Sequence, residues 1–346
     1  IEVLKGPAAA LFGRGEPGGT VNLVTKQARI GDTFGTFGVQ FGSFDRLRSE
    51  ADINLAVTEG LSARLIGYIE GGDTFRDTVE EYRWGFLPSI GIAIGPDTRL
   101  TYDLEKTRVE SPFDRGIMVL GGDFDTVPRD RYLGEPGDGD HVARAEGHSL
   151  RFQHDFNADW SVLLGGSLRD TLLTGTSSDP ELAVSRQPIF RDGRSLSRQR
   201  RSRVYDSQQF VLRAEISGAF QTGGLRHRVL IGADHDEFDN LQDFRRVRPP
   251  SVNSNPSEQA AYVIDVLDPV YGRFPLPTPL PQNNRLDEQK STGFFVQDQI
   301  ELTDRLQIRI GARYDDFSLR TANYLTGIDS ERKDDRISPQ FGVVYE

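Results

Sequence analysis

The sequence lacks cysteine altogether, and it has one methionine and two tryptophans in 346 residues. The absence of cysteine excludes disulfides and thiolate metal ligands, although it discriminates only weakly between cellular compartments. Charged residues make up 27% of the chain, and no run approaches the ~18 apolar residues of a membrane-spanning helix. The net charge of −11 argues against a nucleic-acid partner, for which a basic face is expected.

A helical period is also missing beyond Lys26, and a period of two residues recurs in its place. Apolar residues alternate from Ala51 to Val57, from Trp84 to Ile94 and from Leu306 to Tyr314. A soluble antiparallel sheet shows the same alternation, so this pattern alone does not separate a sandwich from a barrel. It predicts about 12 strands, at residues 34–42, 48–57, 61–71, 82–94, 98–107, 148–156, 160–170, 208–220, 225–238, 291–302, 305–317 and 336–345.

The connections between these strands separate the two architectures. Short turns are predicted at 58–60, 95–97, 157–159, 221–224 and 303–304. Long polar stretches, predicted as loops, lie between them at 73–81, 105–147, 171–207, 239–290 and 318–335. Outer-membrane barrels alternate short periplasmic turns with long extracellular loops, whereas loops above about 12–15 residues are uncommon in compact soluble domains. The chain is therefore predicted to be all-β, an antiparallel transmembrane β-barrel.

Residues 1–26 combine a β-branched start, a Gly-Pro step, a glycine cluster and an alternating strand. Residues 13–18 match G-x-G-x-x-G, the dinucleotide fingerprint, which requires a following helix. Thr20 to Thr25 alternates and is β-branched, which indicates a strand, and the P-loop lysine is missing after Gly19. Nucleotide binding is therefore rejected. The glycines fit tight loops that face a ligand. For Gly18 and Gly19, simple turn formation is the larger part of the explanation.

The segment IEVLKGPAAALFGRGEPGGTVNLVTK (1–26) resembles the end of the plug domain of TonB-dependent outer-membrane receptors of the ferric-siderophore type. Residues 292–315 resemble the mid-barrel hairpin of these receptors, 338–345 the strand that follows it, and 127–138 one of their loops. The resemblance implies the C-terminal end of a plug at 1–26 and the N-terminal part of a barrel at 27–346. About 12 strands of a 22-stranded barrel would be present. No signal peptide precedes the motif, so the chain is predicted to be a fragment.

The resemblance implies a receptor in the bacterial outer membrane that takes up a ferric siderophore, energised by the TonB–ExbB–ExbD complex. The segment that contacts TonB would precede Ile1, and outer-membrane lipid and lipopolysaccharide would surround the barrel. Iron would travel inside the ligand, so no resident cofactor, no protein-bound metal and no catalytic residue are expected. Uptake of haem, cobalamin or another nutrient is one alternative. A passive porin-like barrel is another, and an enzyme in a barrel would need a clustered nucleophile and base that the sequence does not show.

In this family, aromatic and basic side chains of the plug apex and inner barrel wall bind the chelate. By resemblance, Phe12 and Arg14 are ligand-binding residues of the apical plug loop. Pairing of Arg14 with a barrel carboxylate and packing of Phe12 against the wall are equal alternatives. Phe113 and Arg115, at the start of the long loop after the fifth strand, are predicted to face the ligand. The plug-loop glycines are Gly13, Gly15, Gly18 and Gly19.

Three further patterns have weaker interpretations. The basic run Arg198–Arg203 could meet lipopolysaccharide phosphates or an anionic chelate, although a solvated loop is favoured. The acidic segment 234–237 could bind a cation, although a solvated junction between strand and loop is favoured. The histidines show no spacing typical of metal ligands. Trp84, Trp160 and Phe220 lie near predicted strand ends, as expected for the aromatic girdles of a membrane barrel.

Overall fold

The computed structural model describes residues 2–5, 19–120 and 122–345. Within these ranges, 13 strands form one large antiparallel sheet, and β1 (Glu2–Lys5) pairs separately with β2 (Gly19–Asn22). The large sheet consists of β3 (Phe34–Phe41), β4 (Leu47–Ala56), β5 (Leu61–Asp73), β6 (Glu80–Ile94), β7 (Thr98–Ser111), β8 (His141–Asp155), β9 (Trp160–Pro180), β10 (Ser195–Thr222), β11 (Leu225–Val247), β12 (Val263–Asp265), β13 (Leu280–Thr303), β14 (Leu306–Asn323) and β15 (Ile328–Tyr345).

The large sheet is a meander in which chain neighbours pair. The strands follow one another from β3 to β11 and then from β13 to β15, with β13 paired to β11. The short β12 pairs with the beginning of β10, where Leu196 lies opposite Ile264. As described, the sheet is open, with β3 at one edge and β15 at the other. The all-β antiparallel prediction is confirmed, and the described strands form an arc of a barrel wall.

Every predicted strand is present, but the strands next to the long connections extend much further than the sequence indicated. The predicted loop at 318–335 is wrong, because β14 and β15 pair continuously from Leu306↔Tyr345 to Asn323↔Ile328. Likewise β10 begins at Ser195 rather than at 208, and β9 ends at Pro180 rather than at 170. Polar side chains do not stop backbone pairing where both faces of a sheet meet water, so the apolar pattern ends before the strand does.

The remaining long connections pack together at one end of the sheet. They are 112–140, 181–194 and 248–279, and they contain short helices, among them α1 (Ile189–Asp192) and α2 (Pro256–Gln259). No helix in the described ranges is long and apolar enough to cross a membrane. The small hydrophobic core between these loops and the start of β10 consists of Val127, Leu133, Ile189, Leu196, Ile264 and Val266.

The segment after β2 runs along one face of the sheet and hydrogen-bonds to it. Residues 26–32 are called the strap below. The Asn54 side chain of β4 accepts a hydrogen bond from the Arg29 N–H of the strap at 2.9 Å. The same amide donates to the carbonyl oxygens of Arg29 and Asp32 at 2.9 and 2.7 Å. Arg64 of β5 donates to a strap carbonyl at 2.9 Å. The hydroxyl oxygens of Ser62 and Ser89 accept hydrogen bonds from two further strap N–H groups.

The opposite face of the sheet is apolar, which makes the strap-bearing face the inner wall of the barrel. Along each strand the side chains of the other face are exposed and hydrophobic, as expected for contact with lipid. Above this apolar band the outward side chains become polar, towards the ends that carry the long loops. Outward apolar residues include Ile53, Leu65, Phe86, Ile90, Leu150, Leu164, Leu212, Ile216, Ile231, Phe294, Val296, Ile310 and Phe341.

Candidate functional site

The two predicted ligand residues of the long loop lie on the inner side of the wall, beyond the apolar band. Phe113 follows β7, and its ring stacks on the imidazole of His141, with 4.9 Å between centroids and 18° between planes. The guanidinium carbons of Arg115 and Arg203 lie 5.2 and 4.9 Å from the Phe113 centroid. Cation–π attraction favours this arrangement. The structure therefore brings Phe113 and Arg115 together with a partner from each of two strands.

A buried carboxylate lies beside this aromatic group. Asp179, near the end of β9, is 1% exposed, and its Oδ2 lies 3.5 Å from Arg115 Nε and 3.4 Å from Arg201 Nε. These contacts are ionic and longer than good hydrogen bonds. Burial lowers the pKa of His141, and the Arg203 guanidinium lowers it further, which favours the neutral ring. The inner-wall cluster comprises Phe113, Arg115, His141, Asp179, Arg201 and Arg203.

Strand register explains why residues so distant in sequence meet here. Arg203 of β10 lies opposite Gly175 of β9, and β8 begins at His141 beside the same glycine. The imidazole covers the Gly175 backbone, and a Cβ added there would lie 2.2 Å from His141 Cδ2. The glycine thus leaves the space in which the ring can lie flat and stack on Phe113.

We expect Gly175→Ala to displace His141 and loosen the 112–118 loop without removing any group of the cluster. Overpacking of this kind typically costs about 1–3 kcal/mol. Hydrogen exchange of the loop checks it, because a loop released from the Phe113 stack exchanges faster.

Gly165→Ala is the matched control, since Gly165 lies on the same strand and face, and a Cβ there meets no described atom within 4 Å. Equal protection of the loop in both variants would contradict the role assigned to Gly175.

The basic run Arg198–Arg203 belongs to β10, so the favoured interpretation of a solvated loop is wrong. Side chains alternate along a strand, and the run is therefore divided between two faces. Its members at positions 201 and 203 join the inner-wall cluster. The even-numbered members lie on the other face and pair with loop carboxylates, Arg198 with Glu135 at 3.1 Å and Arg200 with Asp138 at 2.7 Å.

The acidic segment 234–237 is not a free cation site. Both carboxylate oxygens of Asp234 accept from the Arg313 guanidinium, at 2.6 and 2.7 Å. Glu237 pairs with Lys290 at 3.0 Å. Among the described residues, no group of three or more His, Cys, Asp or Glu side chains is placed to hold a metal ion.

The plug-loop predictions fall largely outside the described residues. Phe12, Arg14, Gly13, Gly15 and Gly18 are in that part of the chain, and their roles stay predictions. Gly19 opens β2 with a φ of 132°, a backbone conformation that favours glycine.

One sequence feature could have identified part of the rest of the inner-wall cluster. Odd-even alternation places Arg201 and Arg203 on one face once 198–203 is assigned to a strand. His141 and Asp179 carried no signal of their own, because their positions depend on the pairing of β8, β9 and β10.

Comparison with known proteins identifies the family. Residues 82–346 match the model of the TonB dependent receptor-like β-barrel, which is more than half of the chain. The chain belongs to the TonB-dependent receptor β-barrel family. Across its whole length it is 32% identical to the metal-pseudopaline receptor CntO of Pseudomonas aeruginosa and 24% identical to the ferrioxamine receptor of Yersinia enterocolitica. This chain spans 48% and 47% of those two proteins, about half of their length.

Solved structures of TonB-dependent receptors have the same fold. The siderophore receptor PiuA from Acinetobacter baumannii superposes with a TM-score of 0.85 at 19% identity, covering 99% of this chain and 51% of PiuA. The ferric-catecholate import receptor Fiu of Escherichia coli superposes with a TM-score of 0.84 over 99% of this chain and 52% of Fiu. The family and its relatives place this TonB-dependent receptor chain in the outer membrane.

Proposed function

We propose that this chain supplies the plug end and about half of the barrel wall of a receptor that takes up a ferric siderophore or a similar metal chelate. The observation that carries the proposal is the inner-wall cluster, which holds aromatic and guanidinium groups inside the wall and above the lipid-facing band. A chelate with delocalised negative charge fits such groups. Relatives named as siderophore and metal-chelate receptors support the same function.

The inner face of the described wall is polar, and nothing in the proposal requires catalysis. Binding between the plug apex and the cluster would be followed by movement of the plug, energised through TonB, ExbB and ExbD. Iron would enter as part of the ligand. The boundary between plug and barrel near Lys26 is part of the proposal, and the strap supports it, because residues 26–32 connect β2 to the wall.

Calorimetric titration of the receptor, purified from outer membranes in detergent, tests this function. Both tryptophans of this chain lie on outward-facing positions of β6 and β9, so calorimetry, which does not depend on them, is the method of choice. The titrants are ferric siderophores of several chemical types, their iron-free forms, haem and cobalamin. Sub-micromolar binding of one metal chelate, but not of its metal-free form, is expected.

Binding of haem or cobalamin alone would assign the receptor a substrate other than a siderophore. No binding of any titrant would favour a passive barrel. Uptake of the same radiolabelled chelate by cells tests the energy source, and a protonophore should abolish it if the TonB complex drives transport.

A further inference from the structure

Positive charge exceeds negative charge around the inner-wall cluster. The Asp179 carboxylate faces the guanidiniums of Arg115 and Arg201, while Arg203 contacts the Phe113 ring. Across the ladder from Arg201 lies Arg246 of β11. Burial lowers the pKa of Arg201, and the neighbouring arginines lower it further, against the opposing effect of Asp179. Four guanidiniums thus lie near Asp179 in this described part of the wall, and the other carboxylate that acts on His141, Asp138, is already paired with Arg200.

Several polar atoms here are buried and have no hydrogen-bond partner among the described residues. Buried polar atoms in proteins are nearly always paired, because an unpaired one costs free energy. Guanidinium N–H groups are among them, so this part of the wall holds unpaired donors in addition to positive charge. The unpaired atoms are both carboxylate oxygens of Asp179, the Nε atoms of Arg201 and Arg246, Nε2 of His141, Oε1 of Gln199 and Oγ of Ser177.

We propose that the chelate carried by this receptor is a polycarboxylate, and that its carboxylates bind the guanidiniums of Arg115, Arg201, Arg203 and Arg246. This inference rests on the proposed function and specifies the substrate class at the same site. A carboxylate has two oxygens in one plane, which match the planar fork of an arginine. The ligand carboxylates supply the negative charge that Asp179 alone does not.

The other common chelate chemistries match the cluster less well. A ferric complex of three hydroxamates has no net negative charge and would leave the excess of arginines uncompensated. A ferric triscatecholate is anionic, but its charge lies on metal-bound oxygens rather than on planar carboxylates, and the Phe113 ring is already in contact with the His141 imidazole and two guanidiniums. Recognition by arginine forks therefore favours carboxylate groups at the periphery of the chelate.

The test compares four probes on the purified full-length receptor and its variants. The probes are ferric citrate, a nickel aminopolycarboxylate, a ferric trihydroxamate and a ferric triscatecholate. Arg201→Gln and Arg203→Gln should each weaken binding of a carboxylate probe by about 10- to 100-fold, the typical effect of losing a charge-assisted hydrogen bond. Arg245→Gln is the matched control, because Arg245 of β11 is exposed and pairs with Asp243 on the opposite face. It should leave binding unchanged.

The outcomes separate this inference from the proposed function. Tight binding of a carboxylate probe that falls in both cluster variants and persists in Arg245→Gln supports the inference. Tight binding of the trihydroxamate or triscatecholate alone overturns the inference but leaves the uptake function intact. An equal loss in all three variants overturns it as well. No binding of any probe counts against both. Circular dichroism of each variant identifies misfolded samples. The milder Arg203→Lys retains the charge but loses the planar guanidinium, and it should show a partial loss of binding of the carboxylate probe.

Discussion

Arg313→Met is expected to cost the folded barrel about 3–5 kcal/mol, the usual effect of removing one partner of a buried ion pair. Arg313 of β14 is 2% exposed. It donates two hydrogen bonds to Asp234 at 2.6 and 2.7 Å and a third to Asp315 at 2.7 Å. Methionine fills similar space but leaves two carboxylates facing each other without a cation. The loss of stability is measured in detergent gels, as a fall in the temperature at which the barrel changes from its folded to its unfolded mobility.

Two companion variants separate this explanation from a general effect of substitution on β14. Arg309 lies on the same strand and face as Arg313 but is exposed. Arg309→Met should therefore change the thermal unfolding transition little. Adding Asp234→Asn and Asp315→Asn to Arg313→Met should recover part of the stability, because the uncompensated carboxylates are then gone. If Arg309→Met destabilises as much as Arg313→Met, the charge network is not the cause.

Asn54→Ala is expected to release the strap from the wall. Asn54 is fully buried and makes three hydrogen bonds to the strap backbone, at Arg29 and Asp32. Its loss leaves one N–H and two carbonyl groups without their partner, at a total cost of about 2–4 kcal/mol. Trypsin should then cut after Lys26 and Arg29, and hydrogen exchange should accelerate across residues 26–32.

Gln40→Ala provides the control for this prediction. Gln40 is an exposed amide on the neighbouring β3, opposite Arg48, so its removal should leave the strap protected. The strap could instead stay protected in Asn54→Ala. That result would show that Arg64, which pairs with Asp52 and donates to a strap carbonyl, holds the segment without the Asn54 amide.

The sequence was sufficient to predict the twelve strands of the meander, although not the short β12, and the face of each residue within the apolar band, as at Leu306–Tyr314. This was possible because lipid contact imposes a strict two-residue period. Strand length beyond the band was not predictable. The segment 318–335 is polar on both faces, and only pairing between β14 and β15 shows that it is a strand.

The candidate site was predictable only in part. Phe113 and Arg115 were predicted because the family resemblance implies ligand-facing aromatics in their loop, and they do lie on the inner side. His141 and Asp179 were missed, because β-sheet register rather than local sequence brings them to Phe113. The plug apex around Phe12 and Arg14 lies outside the described residues, so those roles still depend on the family resemblance.

The division of the arginines in 198–203 between two faces has a consequence for how such a receptor can diversify. The even-numbered arginines hold the outer loops through Glu135 and Asp138, whereas the odd-numbered ones line the lumen. On the proposed binding mode, substitutions at odd positions would change which cargo is accepted while the loop scaffold persists. A one-residue shift in the register of the whole run would exchange the two sets at once. We would expect natural variants to differ here by substitution at alternate positions and to avoid changes in length.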